Sequence, residues 1–554
     1  MLKSGAIFIF RCIKMPPPIY NSLSTLSVVL KQAFNKLFSK SAVLICLKIA
    51  AVLLYIACCY FFARFALTGL GDHFSSRKTL ALTLFITLLC ASKKSFYFLI
   101  LPTSILVSIY SPIGFEYGSP DLQAVISLYS TDVAESIEFL SLISFSSYIK
   151  ALSIILLPFI AYYIATFVNL KPWRNKTYVC LVIGTLVFLL RPTEFINRSI
   201  TAVNDLESSI SELEKYANKS SWGQSLSQTK NRDFVLVIGE SARKDYFHIY
   251  GYPIRNTPFL DNVPGVFVDG LTAGGTYTIG SLRLMLTHGI QETWQPRYDF
   301  NFVDLAKSAG IDVTWISNQG YIGQYDTPIS SIGHRANKSI FPNKGAYDKV
   351  NLSDFVLLKI LSKELRTVTN GGSRLFVLHT IGSHPDACSR LDDFPEQYKV
   401  QDQKLSYVAC YVSTIKKTDL FLSRLYEQMK QHEAKTGRSF SILYFSDHGQ
   451  VHRELDGKIY INNNYASKLH YDVPLIRIDS DATQREVLNS KKSGLLFTAG
   501  LANWLQIKNP QVPEYDLFDG VNDKTDFGLS EKIKQIKLSP DPAIDITNVL
   551  VKEH

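Results

Sequence analysis

The polarity pattern changes character near residue 191. Before it, apolar runs at about 42–66, 78–92, 95–112, 150–168 and 177–191 are separated only by short polar stretches. A bilayer crossing takes about 20 apolar residues, so the pattern predicts about five transmembrane helices, the second and fifth of them short. Beyond residue 231 the apolar runs shrink. Residues 234–239, 312–316, 375–381 and 441–445 are rich in β-branched and aromatic side chains and lack a helical period, the signature of buried strands in a parallel sheet. Between them, Leu405, Val408, Val412, Ile415, Leu420, Leu422 and Leu425 recur at helical intervals and predict an amphipathic helix over 401–430. Strands alternating with helices predict a mainly parallel sheet covered on both faces. The expected organisation is therefore a helical membrane domain over 1–191, a polar linker with an amphipathic helix over 192–231, and an α/β domain over 232–554.

Charge sets the orientation. The net charge of +10 suggests nucleic acid only until its distribution is read. Lys3, Arg11, Lys14, Lys31, Lys36 and Lys40 crowd the amino-terminal tail, Lys93 and Lys94 lie between the second and third runs, and Lys171, Arg174 and Lys176 between the fourth and fifth. The loop between the third and fourth runs is acidic, with Glu116, Asp121, Asp132, Glu135 and Glu138. The positive-inside rule places the amino terminus in the cytoplasm, and five crossings place everything after residue 191 outside. No nucleic-acid reader motif accompanies the basic charge. Lys48 and Arg64, within the first run, lie near its ends where snorkelling suffices, so no polar conduit of a channel is visible. Of eight cysteines, only Cys388 and Cys410 fall in the external domain. Two cysteines alone in an oxidising compartment predict one disulfide.

The chemistry is concentrated where strands end. Residues 234–239 stop at Glu240, and the run ending at Ser446 is followed by Asp447, His448 and Gly449. Ligands of open α/β sheets sit outside the carboxyl ends of the strands. Glu240, Asp447 and His448 therefore offer oxygen and imidazole donors at one sheet edge, a mixture suited to zinc ahead of manganese, with a position left for a nucleophile. Taken singly, each residue has an ordinary reading: Glu240 as a helix cap and Asp447 as an ion-pair partner of an arginine. The segment 274–281 (Gly-Gly-Thr-Tyr-Thr-Ile-Gly-Ser) leads into apolar Leu282, Leu284, Met285 and Leu286, a loop feeding a helix whose amino end suits a phosphate. Spacing alone leaves Thr276, Thr278 and Ser281 open as nucleophiles, and Thr278 could equally be an N-cap.

Gly239-Glu240-Ser241-Ala242-Arg243, followed by Tyr250-Gly251-Tyr252 and Asn256-Thr257-Pro258, resembles the opening of the membrane-anchored phosphoethanolamine transferases of the alkaline phosphatase and sulfatase superfamily. The resemblance implies a sulfatase-like α/β catalytic domain in the periplasm, carried by a multi-pass anchor in a bacterial inner membrane. It implies Glu240, Asp447, His448 and Thr278 as zinc ligands and Thr278 as the nucleophile. His384, in Gly382-Ser383-His384-Pro385, matches the family histidine that binds donor phosphate or assists proton transfer. Thr131 and Glu135 fit a family motif in the loop between spans three and four, although Ser127 stands where an asparagine is common. Lipid A-modifying members bracket the nucleophile loop with a disulfide, whereas this chain has Gly274 and Leu284 there. A further site histidine of those members falls near Tyr460 here, with His470, or His452, as the substitute. Trp315, Ser317, Asn318 and Gln319 end a strand at the site edge and resemble members that modify Kdo or heptose.

The expected activity is transfer of phosphoethanolamine from phosphatidylethanolamine to a lipopolysaccharide-type glycolipid through a phosphoethanolamine-threonine intermediate, with core Kdo or heptose preferred over lipid A phosphate. The expected substrate contacts are Thr131, Glu135, Asn318, His384 and His470. A sulfatase or phosphodiesterase-type hydrolase is the first alternative, and no Cys/Ser-x-Pro-x-Arg context surrounds Thr278 to support it. A glycerophosphate transferase with the same Glu, Thr, Asp and His chemistry is the second.

Overall fold

Apolar side chains cover the outside of the amino-terminal helices. In the computed structural model, residues 40–71, 75–119, 140, 143–189, 200, 211, 216, 219–319, 327–342, 353–367, 371–395, 397–455, 457–462, 467–536 and 541–551 are described. Helices occupy each expected apolar run: α1 (Lys40–Gly69), α2 (Ser76–Cys90), α3 (Lys93–Tyr117), α4 (Phe145–Phe167) and α5 (Lys176–Leu189). Among the described residues, three of them, Leu44–Gly69, α3 and α4, are long and apolar enough to cross a membrane. Leu47, Phe98, Ile109 and Phe167 stand exposed on their outer faces, which is stable only against lipid. Inside, Phe96 stacks on Tyr162 at 4.4 Å. The chain divides into two compact units, Met1–Gly118 with Ser146–Glu194, and Ser119–Phe145 with Phe195–His554. Thr131, Glu135 and most of the predicted linker helix lie outside the described residues.

The second unit is built on an eight-stranded sheet. In chain order its strands are β1 (Arg232–Gly239), β2 (Gly265–Thr272), β3 (Asp312–Ser317), β4 (Lys338–Ile340), β5 (Arg374–His379), β6 (Ser439–Ser446), β7 (Asp472–Asp479) and β8 (Arg485–Ser493). They lie in the order β8-β2-β7-β6-β1-β5-β3-β4, and β7 alone runs antiparallel to its neighbours. Central β1 explains the unbroken apolar run. Phe234, Leu236 and Ile238 enter the core on one face, and Val235 and Val237 enter it on the other.

Two boundaries differ from the periodicity. The helix predicted over 401–430 is α8, Ser406–Thr436. Asp402 accepts from the Lys404 N–H and holds a 3-10 turn before it, while Gly437, in the left-handed region at φ 69°, ends it. The strand predicted over 375–381 stops at His379, because Ile381 leaves the ladder and donates its N–H to Asp354. Two further helices flank the site: α6 (Thr278–Met285) and α7 (Phe355–Glu364).

At the opposite end of the sheet Asp233, wholly buried, accepts from Arg374 and Arg438. Burial raises the Asp233 carboxyl, but the two guanidiniums outweigh it and hold the group below its usual range. Its stabilisation is therefore present at neutral pH and lost as pH falls through the folded-state pKa. Asp233→Ala strands two buried cations, and its expected cost is about 3–5 kcal/mol. Denaturant unfolding of the full-length protein followed by tryptophan fluorescence checks this, and an unchanged midpoint contradicts it.

Candidate active site and metal centre

The carboxyl ends of β1 and β6 are register partners, Gly239 beside Ser446, so the residues after them must meet. Glu240, Asp447 and His448 are buried, and their ligand atoms all lie within 4.8 Å of one another. The chain turns sharply after β1, with Ser241 in the left-handed region at φ 59°, a strained conformation for a residue with a side chain. That turn lets the Ser241 N–H donate to Asp447 Oδ1 at 2.9 Å and its hydroxyl donate to Glu240 Oε1 at 2.6 Å. After β6, His448 N–H donates back to Asp447 Oδ1 at 2.8 Å. Asp447 Oδ2 is left buried without a hydrogen-bond partner.

His448 is oriented by its own strand end. Its Nδ1–H donates to the Gly449 carbonyl at 2.6 Å, which turns the Nε2 lone pair toward the carboxylates. Gly449 is required for packing: a Cβ there would lie 2.4 Å from the Leu469 carbonyl oxygen and 3.0 Å from the Arg243 side chain. Burial opposes a charged imidazole at His448, but Asp447 and Glu240 outweigh it and push the group up. Burial, and then Glu240, push the Asp447 carboxyl up. Burial also opposes ionised Glu240, yet His448 holds its carboxyl down.

Thr278 is the first residue of α6, and Tyr277 before it provides no side-chain cap. Its Oγ1 lies 3.1 Å from Glu240 Oε2 and 3.4 Å from His448 Nε2. His448 Nε2 is in turn 3.4 Å from Glu240 Oε1 and 3.4 Å from Asp447 Oδ2. A tetrahedron of ligands about 2.0 Å from its centre has edges of about 3.3 Å, and the spacings of His448 Nε2 to Thr278, Glu240 and Asp447 are of that size, so the cluster suits a small divalent cation. The orphaned Asp447 Oδ2 agrees with that fit, since a buried carboxylate oxygen needs a partner.

The loop after β5 closes another side. Ser383 N–H donates to the Glu240 carbonyl at 3.0 Å, and Gly382, at φ 50°, passes so close that a Cβ would meet that carbonyl at 2.8 Å. This carries half-buried His384 to the site edge, with its Nδ1–H donating to the Pro385 carbonyl at 2.6 Å. Nearby, Cys388 and Cys410 form a disulfide between this loop and α8. His470 is fully buried with its ring 6.5 Å from that of His448, its Nδ1 accepts from the Ser467 N–H, and its carbonyl accepts from Gly449. His452 sits elsewhere, with Nε2 2.5 Å from the Tyr246 hydroxyl in a network with Arg243 and Asp541.

Asn318 and Gln319 divide differently from the sequence expectation. Asn318 is buried and donates to Asp354 Oδ1 at 2.8 Å, whereas the Gln319 amide donates to Glu240 Oε2 at 3.2 Å and to the Thr380 carbonyl at 2.7 Å. Ser241 and Asp354 thus shape the site without a role expected from the sequence, and Gln319, expected only at the site edge, contacts Glu240 directly. The strand-end position of Gln319 was the available signal; for Ser241 it was adjacency to Glu240, and for Asp354 there was none.

The sulfatase family profile matches residues 232–518, which contain the whole of this constellation. A Haemophilus influenzae relative is 41% identical over 419 residues, spanning 74% of this chain and 86% of its own. The Escherichia coli K12 phosphoethanolamine transferase OpgE is 32% identical over 469 residues, spanning 80% of this chain and 86% of its own. Among solved structures, the integral membrane lipooligosaccharide phosphoethanolamine transferase A of Neisseria meningitidis superposes with a TM-score of 0.51 at 16% identity, covering 83% of this chain and 96% of that one; it shares the fold of membrane helices followed by a sulfatase-like domain. On the family profile and these two long sequence matches, the chain belongs to the membrane-anchored phosphoethanolamine transferases of the alkaline phosphatase and sulfatase superfamily.

Proposed function

We propose that this enzyme moves phosphoethanolamine from phosphatidylethanolamine to a lipopolysaccharide or lipooligosaccharide acceptor in two displacements, both at Thr278. The observation that carries this reading is the setting of the Thr278 hydroxyl, 3.1 Å from Glu240 Oε2 and 3.4 Å from His448 Nε2 at the uncapped start of a helix. Three oxygen donors and one imidazole favour zinc ahead of manganese. Glu240, Thr278, Asp447 and His448 would hold the zinc, and bound there it would supply Lewis acidity that lowers the pKa of a hydroxyl and offsets charge on the phosphoryl group.

In the first displacement Thr278 Oγ1 loses its proton to solvent and attacks phosphorus. The Oγ1–P bond forms as the bond from phosphorus to the glycerol oxygen breaks. Protonated His384 gives that oxygen its proton, so diacylglycerol leaves and phosphoethanolamine stays on the threonine. In the second, an acceptor hydroxyl passes its proton to His384 and attacks the same phosphorus; the Oγ1–P bond breaks and Thr278 recovers a proton from solvent. The first-turn N–H groups of α6 point their positive dipole end at the phosphoryl oxygens. Thr131 and Glu135 complete the substrate contacts in this reading, while Asn318 and His470, expected there from the sequence, are buried and act from behind the site. The anchor is a five-span bundle in the bacterial inner membrane, with residues 232–554 as the periplasmic catalytic domain.

A core sugar, Kdo or heptose, is the preferred acceptor over lipid A phosphate, because Gly274 and Leu284 stand where lipid A-modifying members carry a loop disulfide. Intact-mass spectrometry of the full-length protein incubated with zinc and phosphatidylethanolamine is expected to show one added phosphoethanolamine unit, absent in Thr278→Ala. Cleavage of the lipid without an adduct would instead indicate a hydrolase. Fragmentation of lipopolysaccharide from cells expressing the enzyme is expected to place the new group on a core sugar. Its appearance on lipid A phosphate, or only on soluble oligosaccharides, would refute the acceptor assignment.

A further inference from the structure

Asp354 stands at the N-cap of α7, where an aspartate ordinarily accepts from the first-turn N–H groups of its own helix. It makes no side-chain cap there. Its carboxylate reaches instead to two other elements. Oδ1 accepts from the Asn318 amide at 2.8 Å and from the Ile381 N–H at 2.9 Å, and Oδ2 accepts from the Gly382 N–H at 2.9 Å. Only 7% of the residue is exposed, so the group is spent inside the protein on partners far from it in sequence.

Those partners lead to both sides of the Glu240 carboxylate. Ile381 and Gly382 begin the loop that continues to Ser383, which donates to the Glu240 carbonyl, and to His384. Asn318 immediately precedes Gln319, whose amide bridges Glu240 Oε2 and the Thr380 carbonyl. Thr414 Oγ1, from α8, meets Ser383 Oγ at 2.8 Å and braces the loop from behind. Asp354, Thr380, Gly382, Thr414 and Lys417 line one small cavity; burial pushes the Asp354 carboxyl up, against the Ile381, Asn318 and Gly382 donors and, more weakly, Lys417.

We infer that Asp354 is a positioning residue for the transfer reaction: its carboxylate locks the ends of β3 and β5 together and so sets His384 and Gln319 against Glu240. The inference rests on the role given to His384 in the proposed function. Asparagine at position 354 keeps the size but only one acceptor oxygen. Its NH2 group then faces an N–H donor, and either the Gly382 contact or the Asn318 and Ile381 contacts are lost. Displacing a reacting group by about 1 Å can cost about 100-fold in rate.

The test measures phosphoethanolamine transfer, zinc content and thermal stability in the full-length protein for wild type, Asp354→Asn, His384→Ala and their double variant. Asp419→Asn is the control, since that buried carboxylate likewise accepts two backbone N–H groups, of Phe259 and Leu260, by a contact outside the site. Asp354→Asn is expected to keep its zinc and to lose about 10- to 100-fold in transfer rate, with the double variant slower than His384→Ala alone by no more than the smaller loss of the Gln319 branch. Asp419→Asn is expected to lose stability but transfer at the wild-type rate once folded. If Asp354→Asn does not fold, Asn318→Ala removes the β3 branch alone and is expected to show a smaller loss in rate at full zinc content. A wild-type rate in Asp354→Asn or its substitute, or losses that multiply in the double variant, would overturn the inference. A wild-type rate in His384→Ala alone would overturn the role of His384 and the inference with it, and is distinguishable because that variant leaves Asp354 intact.

Discussion

Two carboxylates buried side by side repel each other and have lost their water, and the rest of the catalytic unit is arranged around that constraint. Glu240 and Asp447 are each at most 1% exposed, and one imidazole lies between them. Burial of like charges is tolerated only when positive charge and N–H donors converge on them. The backbone provides the donors. Ser241 and His448 give their N–H groups to Asp447, and the hydroxyls of Ser241 and Thr278 turn to Glu240. The outer oxygen of Asp447 has no hydrogen-bond partner and lies 3.4 Å from the His448 nitrogen, which is itself 3.4 Å from the Thr278 oxygen. A cation there satisfies all of them together.

Holding such a group needs close backbone approaches, which explains the local chemistry of the strand ends. Gly449 and Gly382 sit where a Cβ would strike a carbonyl oxygen, and Ser241 adopts a left-handed conformation because its N–H must face Asp447. These positions are strained or crowded, and the parallel sheet over-determines them: β1 is paired along its length on both edges, with β5 and β6. The rigidity of the scaffold makes the precision of the site possible.

How far the sequence reached follows from what is local. The strand over 234–239 and the pair Asp447-His448 were legible because a buried parallel strand is apolar throughout and its polar terminus stands out. The helix predicted from residue 401 begins only at Ser406, because the Asp402 turn holds residues 403–405 in a 3-10 helix that apolar spacing does not reveal. The apolar run continues through Ile381 although β5 ends at His379, because the departure of Ile381 depends on Asp354, an acceptor remote in sequence. For the same reason Gln319, not Asn318, meets Glu240: alternation along the end of β3 tells that the two side chains diverge, but not which one faces the site. Asp354 itself carries the ordinary signature of a helix cap, and nothing local reveals that its carboxylate serves other elements.

The central claim is that Glu240, Asp447, His448 and Thr278 form one zinc centre of oxygen and nitrogen donors. X-ray absorption at the zinc edge of the purified full-length protein tests it most directly. The account predicts a first shell of oxygen and nitrogen near 2.0 Å with the scattering of a single imidazole, and loss of bound zinc in Glu240→Gln. A shell containing sulfur near 2.3 Å, two or more imidazoles, or zinc retained unchanged in Glu240→Gln would contradict it.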